Sequence, residues 1–235
     1  MSLLTIVQYA CRRAAVPVPD VVYGTSDQQI LQMLALLEEE GNDLAQRGVW
    51  QGLTFEASWT TTAAEDQGAL TTLASNGFRY IKNDTIWSRT RRLPVAGPLS
   101  PQDWQTLKAW SVSGPYYQYR IRGGRLLVNP AAPASESWFF EYLSKNWILS
   151  ASGSVYKQYF TLDTDTVLIP EELLILGLRW RWKKEKGLDY AEDFRTYEMQ
   201  VKNALGSDGG KSVLHMDMGG DGPKAGIVIP LGSWI

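Results

Sequence analysis

The chain has 235 residues, of which 44% are hydrophobic and 20% charged, and a formal net charge of −2. A chain this long buries a core without disulfide or metal staples, and its charge balance excludes a protein that coats nucleic acid, whose domain would be basic. A single cysteine, Cys11, and a single histidine, His215, exclude an internal disulfide and a soft-ligand zinc site, as expected of a chain made in a reducing cytoplasm.

Residues 2–14 predict a short helix capped by Ser2, with Leu3, Ile6, Val7 and Ala10 on one face. Its basic pair follows the apolar part, the reverse of a secretory signal. No apolar run approaches the length that spans a bilayer, so no membrane partner is expected. The prolines of "VPVPD" end this helix. A second helix opens at Ser26, with Gln29 placed to complete a capping box. Ile30, Leu34, Leu37, Gly41 and Leu44 form its apolar stripe, and Glu38, Glu39, Glu40 and Asp43 its acidic face. Consecutive helical carboxylates point about 100° apart and cannot converge on one substrate atom, so this face reads as solvated or as half of a charged contact.

From about residue 53 to 165 the hydrophobic period becomes two. "LTFEASWTTT" and "FRYIKNDTIWSRTRRLPV" read as strands. "SPQDWQTLKAW" reads as a helix capped by Ser100, with Trp104 and Leu107 inward. In "YYQYRIRGGRLLVNP" two alternating runs flank Gly123-Gly124, the composition of a two-residue hairpin turn. "SWFFEYLSKNWI" adds a strand with Trp138, Phe140 and Tyr142 on one face. Asp163 and Asp165 in "LDTDT" read as a polar turn, since calcium wants six to eight oxygens. "NDT" at 83–85 is a glycosylation sequon in form only.

Helical periodicity returns near 170. Pro170, Glu171 and Glu172 suit a first turn, and Arg179, Arg181, Lys183, Lys184 and Lys186 gather toward the end before Gly187. Trp180 and Trp182 alternate with these cations, so at least one is expected at the surface. A last helix starts at Asp189 and runs Tyr190, Phe194, Tyr197, Val201 and Leu205 down one face, after which the pattern stops. "GSDGGKS" (206–212) is no phosphate loop: three residues, not four, separate Gly206 from Gly210, and no strand precedes it. His215 lies among glycines without a scaffold for catalysis, and "DMGGDGP" occurs once where calcium solenoids need repeats.

The predicted fold is α+β: N- and C-terminal helix pairs (1–50 with 168–206) form a four-helix bundle, because isolated helices of this length are marginal. An antiparallel β-sandwich or meander lobe (51–167) is inserted between them, and an extended tail (207–235) follows. Ten Trp and eleven Tyr suit an interface protein. The acidic face (Glu38, Glu39, Glu40, Asp43) and the basic helix end (Arg179, Arg181, Lys183, Lys184) are expected to meet between copies. In "GIVIPLGSWI", Ile227, Val228, Ile229, Leu231, Trp234 and Ile235 offer roughly 9–18 kcal/mol if fully buried. Fixing ten backbones costs about 10–20 kcal/mol. The segment therefore needs a preformed surface to order on.

"LLEEEGNDLAQRGVWQGLTFEASWTTTAAEDQG", "YQYRIRGGRLLVNPAAPASESWFFEYLSKNWI" and "LGLRWRWKKEKGLDYAEDFRTYEMQVKNAL" resemble head-to-tail adaptor proteins of short-tailed bacteriophages, the tail-tubular-A-like ring proteins beneath the portal. The resemblance covers most of residues 30–205. It implies a non-enzymatic virion protein without cofactor, forming a dodecameric ring that bridges the portal protein to the tail nozzle protein and passes double-stranded DNA. It further implies that the C-terminal tail docks on the portal. The alternative is an aromatic-rich carbohydrate- or receptor-binding module of a phage tail.

Overall fold

A computed structural model describes residues 1–109 and 116–209. The fold is α+β. In chain order, α1 (Leu3–Ala14) and α2 (Gln28–Arg47) lead through a 3-10 turn, Gln51–Leu53, into β1 (Thr54–Thr60), β2 (Asp66–Ala69), α3 (Leu70–Leu73), β3 (Phe78–Ile81), β4 (Trp87–Ser88) and β5 (Leu93–Pro94). Next come α4 (Pro101–Ala109), β6 (Gln118–Arg122), β7 (Arg125–Asn129), β8 (Ser137–Ser144), β9 (Ile148–Leu149), β10 (Tyr156–Lys157) and β11 (Thr166–Val167). The helices α5 (Glu171–Glu185) and α6 (Ala191–Asp208) complete the described chain.

Ser2 caps α1 as its sequence predicts, accepting from the Thr5 amide at 3.3 Å. The cap of α2 is Asp27 instead of Ser26: its carboxylate accepts from the Gln29 amide at 2.8 Å. Both side chains suit an N-cap, but the charged acceptor also complements the helix dipole. α6 continues through Gly206, Ser207 and Asp208, so the first residues of "GSDGGKS" extend the helix beyond Leu205, where the apolar pattern ends.

One core joins α1, α2, α5 and α6. Leu3, Ile6 and Val7 of α1, Met33, Leu37 and Leu44 of α2, Leu174 and Leu178 of α5, and Tyr197 and Val201 of α6 all belong to it. The hub is α5, which packs against α1, α2 and α6. This core also takes in Leu143, Trp147, Ile148 and Phe160, so the small sheet β10-β9-β11 sits with the helices although it lies within 51–167. The ring of Trp147 lies on Gly41 of α2, where an added Cβ would stand 2.2 Å from ring carbons.

A second core draws its residues from two antiparallel sheets and the segments around them. The larger runs β1-β8-β4-β5, with β3 also pairing β8; the smaller runs β2-β7-β6. Trp138, Phe140 and Tyr142 of β8 share one buried cluster with Tyr119, Leu126 and Val128 of the smaller sheet. The β6–β7 hairpin forms as predicted, with Gly123 and Gly124 at φ of 58° and 71°, where a side chain would strain the turn. The strand β8 does not extend that hairpin; it pairs β1 along seven residues in the other sheet.

Candidate functional site

The acidic face of α2 and the basic end of α5 meet inside one chain. The Arg181 Nε donates to Glu40 Oε2 at 2.5 Å, its Nη1 pairs with Glu39, and its Nη2 reaches Asp43 Oδ2 at 3.4 Å. Glu40 is fully buried, and its other oxygen accepts from the Tyr197 hydroxyl of α6. Gly177 of α5 makes room: a Cβ there would stand 2.3 Å from the Glu40 carboxyl carbon. One carboxylate thus ties three helices through partners about 140 to 157 positions away in sequence.

The electrostatics follow from burial and pairing. Desolvation raises the Glu40 carboxyl above its ordinary range, against the hydrogen bonds from Tyr197 and Arg181. Burial pulls the Arg181 guanidinium down, but the bond to Glu40 and the charges of Glu40, Glu39 and Asp43 outweigh it and leave it raised. Burial and then the Glu40 charge push the Tyr197 phenol up. Arg47 flanks this centre, bonding Glu198 at 2.5 Å and Asp43 at 2.9 Å while lying 5.4 Å from the Tyr197 ring centroid. Between α5 and α6, Asp193 receives Arg179 at 3.2 Å and also pairs with Lys183.

Most of the residues expected to meet between copies already face one another inside one chain. Because α2 and α6 both pack on α5, Glu39, Glu40, Asp43, Arg179, Arg181 and Lys183 find their counter-charges within the chain. Glu38 instead accepts from the Phe160 amide at 3.0 Å; burial raises its carboxyl and that amide lowers it. Lys184 is exposed, with its ammonium 6.0 Å from the Trp180 ring centroid, and makes no ion pair among the described residues. The acidic face is also not uniformly solvated, since Glu40 is wholly enclosed.

Trp180 and Trp182, one of which was expected at the surface, are 7% and 4% exposed. A helix enclosed by three others has no wide outward face, and Phe194 meets the Trp180 ring edge-on at 5.0 Å. Tyr197, Arg47, Asp193 and Glu198 complete the network and were missed as charge partners. Tyr197 was legible as a core position, but nothing local in the sequence links it to Glu40.

Surface depressions among the described residues include two beside exposed or half-buried aromatic side chains. A cavity of about 310 Å³ is lined by Trp180, Lys184, Tyr190 and Phe194. A groove of about 210 Å³ on the larger sheet is lined by Glu56, Thr85, Trp87, Arg89, Phe139 and Glu141. There Arg89 stacks 3.4 Å from the Phe139 centroid and bonds Glu56 at 2.8 Å, leaving Trp87 exposed beside them. Asp163 and Asp165 hold loops: Asp163 accepts from the Val22 and Tyr23 amides, and Asp165 from Lys157 and the Thr161 and Leu162 amides. No cluster that could hold a metal occurs among the described residues. No helix there is long and apolar enough to cross a membrane. His215 and the apolar tail residues Ile227, Val228, Ile229, Leu231, Trp234 and Ile235 lie outside the described residues.

The Glu40 carboxylate faces protein donors on both oxygens, so this centre fixes the spacing of helices instead of meeting a substrate. Compared with known proteins, residues 1–219 match the model of a family described as SU10 adaptor protein. No curated protein matches the chain.

Proposed function

Because the chain belongs to the SU10 adaptor protein family, and is thereby a phage structural adaptor and virion component, we propose that it is the head-to-tail adaptor subunit of a bacteriophage. The observation that carries this reading is the family match across residues 1–219. In this reading the chain is non-enzymatic, is assembled in the host cytoplasm, and forms a dodecameric ring between portal and tail nozzle that continues the DNA channel. The helix pairs act as a four-helix bundle in the ring wall, with the β-sandwich lobe projecting from it. The internal charge network supports that role, since a wall element must keep its helix spacing under load. Ile227, Val228, Ile229, Leu231, Trp234 and Ile235 dock on the portal, because an uncharged segment of that composition orders only against a preformed surface. Lys184 remains a candidate for contact with a neighbouring copy.

The test is deletion of residues 222–235. The expected product is a soluble, folded subunit that no longer joins portal-bearing heads; infectious particles at normal yield would refute tail docking. A second reading, a carbohydrate-binding lobe, draws on exposed Trp87 beside Glu56, Thr85 and Glu141. Glycan-array binding by the full chain, lost in Trp87→Ala, would support it.

A further inference from the structure

The smaller sheet has two unlike faces. Tyr119 and Ile121 on β6 pair with Val128 and Leu126 on β7, and all four belong to or pack against the lobe core. The intervening residues lie on the opposite face by strand alternation. There Arg120 stands opposite Leu127, and Arg122 directly opposite Arg125, at the end that carries the Gly123-Gly124 turn. Like charges placed opposite each other destabilise a sheet. One carboxylate among the described residues serves the cluster: Arg125 Nε donates to Asp66 Oδ2 at 2.5 Å, and Arg122 acts on the same carboxyl through its charge. Arg120 and Arg122 make no ion pair among the described residues. The Arg125 bond, the Gly68 amide and the charges of Arg125 and Arg122 hold the Asp66 carboxyl below its ordinary range.

One carboxylate against three guanidinium groups leaves this end of the ribbon with excess positive charge, which points to a counter-charge supplied from outside. The shape of the tip narrows what that can be. Gly123 and Gly124 are exposed, and a Cβ on either would meet nothing within 4 Å, so the ribbon end is bare and narrow. Arg120 and Arg122 are two residues apart on one strand, about 6.6–6.8 Å along it, so both can reach one run of backbone phosphates. A two-stranded ribbon is also a shape that the major groove admits.

We propose that the β6–β7 hairpin tip binds the phosphodiester backbone of duplex DNA, with Arg120 and Arg122 as the phosphate contacts and Arg125 as their orienting neighbour. The contact is independent of sequence and sensitive to salt. It deepens the adaptor reading, on which its setting rests, by naming the element that faces passing DNA.

The experiment titrates the ¹⁵N-labelled full chain with a short DNA duplex at low salt. Amide shifts are expected to concentrate at residues 120–125, and Arg120→Gln with Arg122→Gln is expected to remove them while leaving the rest of the spectrum in place. By fluorescence anisotropy, losing two phosphate contacts lowers the log–log salt slope by about 1.8. The proposal is overturned if the duplex shifts nothing, if shifts map to Lys183, Lys184 and Lys186, if the double variant keeps its slope, or if a poly-glutamate peptide shifts the tip and DNA does not. Virions separate this inference from its premise. Chain present between joined heads and tails, with no DNA response at the tip, sinks the hairpin role alone; chain absent from virions sinks the adaptor reading.

Discussion

Replacing Gly177 by alanine tests whether the buried carboxylate sets the helix spacing. In an unobstructed helix interior the change would stabilise by about 0.5–1 kcal/mol. Here the new methyl would stand 2.3 Å from the Glu40 carboxyl carbon and 2.4 Å from Oε1. Glu40 cannot simply swing aside, because Arg181 holds one oxygen and Tyr197 the other. Breaking a buried ion pair costs about 3–5 kcal/mol, so the balance is a loss of about 2–4 kcal/mol. For a chain of this size a loss near 3 kcal/mol lowers Tm by about 6–12 °C. Urea and thermal unfolding of Gly177→Ala against wild type measure it. Adding Gly177→Ala to Glu40→Ala, where the carboxylate is gone, should instead leave stability unchanged or slightly higher. If Gly177→Ala alone proves as stable as wild type, Glu40 has freedom that the geometry denies it, and the argument fails.

Three further expectations rest on other contacts. Gly41→Ala drives a methyl to 2.2 Å from the fully buried Trp147 ring and should cost more than about 2 kcal/mol, seen as a lower urea midpoint with altered tryptophan fluorescence. Burial opposes ionisation of Asp165, but Lys157 and the amides of Thr161 and Leu162 outweigh it and lower its pKa from the ordinary 3.8. Its contribution is therefore present above about pH 3.8 and lost as pH falls through the folded value. Asp165→Asn should cost about 1–3 kcal/mol at neutral pH, with the gap in urea midpoints narrowing in acid; a gap that widens in acid would contradict the sign. Burial raises the Cys11 thiol to about 11, so in the native chain it should resist Ellman's reagent at mildly alkaline pH until denaturant is added.

What the sequence discloses is local. Ser2 caps α1 because the residues it bonds are three positions away, and Gly123-Gly124 turns the hairpin because the backbone there needs positive φ. The stripe Ile30, Leu37 and Leu44 is buried as its spacing says. The misses share a cause of another range. Glu40 reads as one of three surface glutamates until Gly177, Arg181 and Tyr197 arrive from more than a hundred residues later. Trp180 and Trp182 read as opposite faces of a helix, which is correct, but period alone does not reveal that α5 is covered on both. The choice of Asp27 over Ser26 as cap turned on one residue between two competent side chains. The two-residue strand β9 carries too little pattern to announce that it belongs with the helices.

The order in which these parts are made has a consequence for the ribosome. α1 and α2 are translated early, yet the helix that covers both, α5, ends at Glu185, 138 residues after Arg47. At about 5–20 residues per second, the nascent chain carries their greasy stripes uncovered for roughly 7–28 s. During that interval the lobe, whose own buried cluster is drawn from residues 57–142, can condense first. A chaperone that shields the leading segment until the last third emerges would therefore raise yield, and slowing translation after residue 47 would lower it.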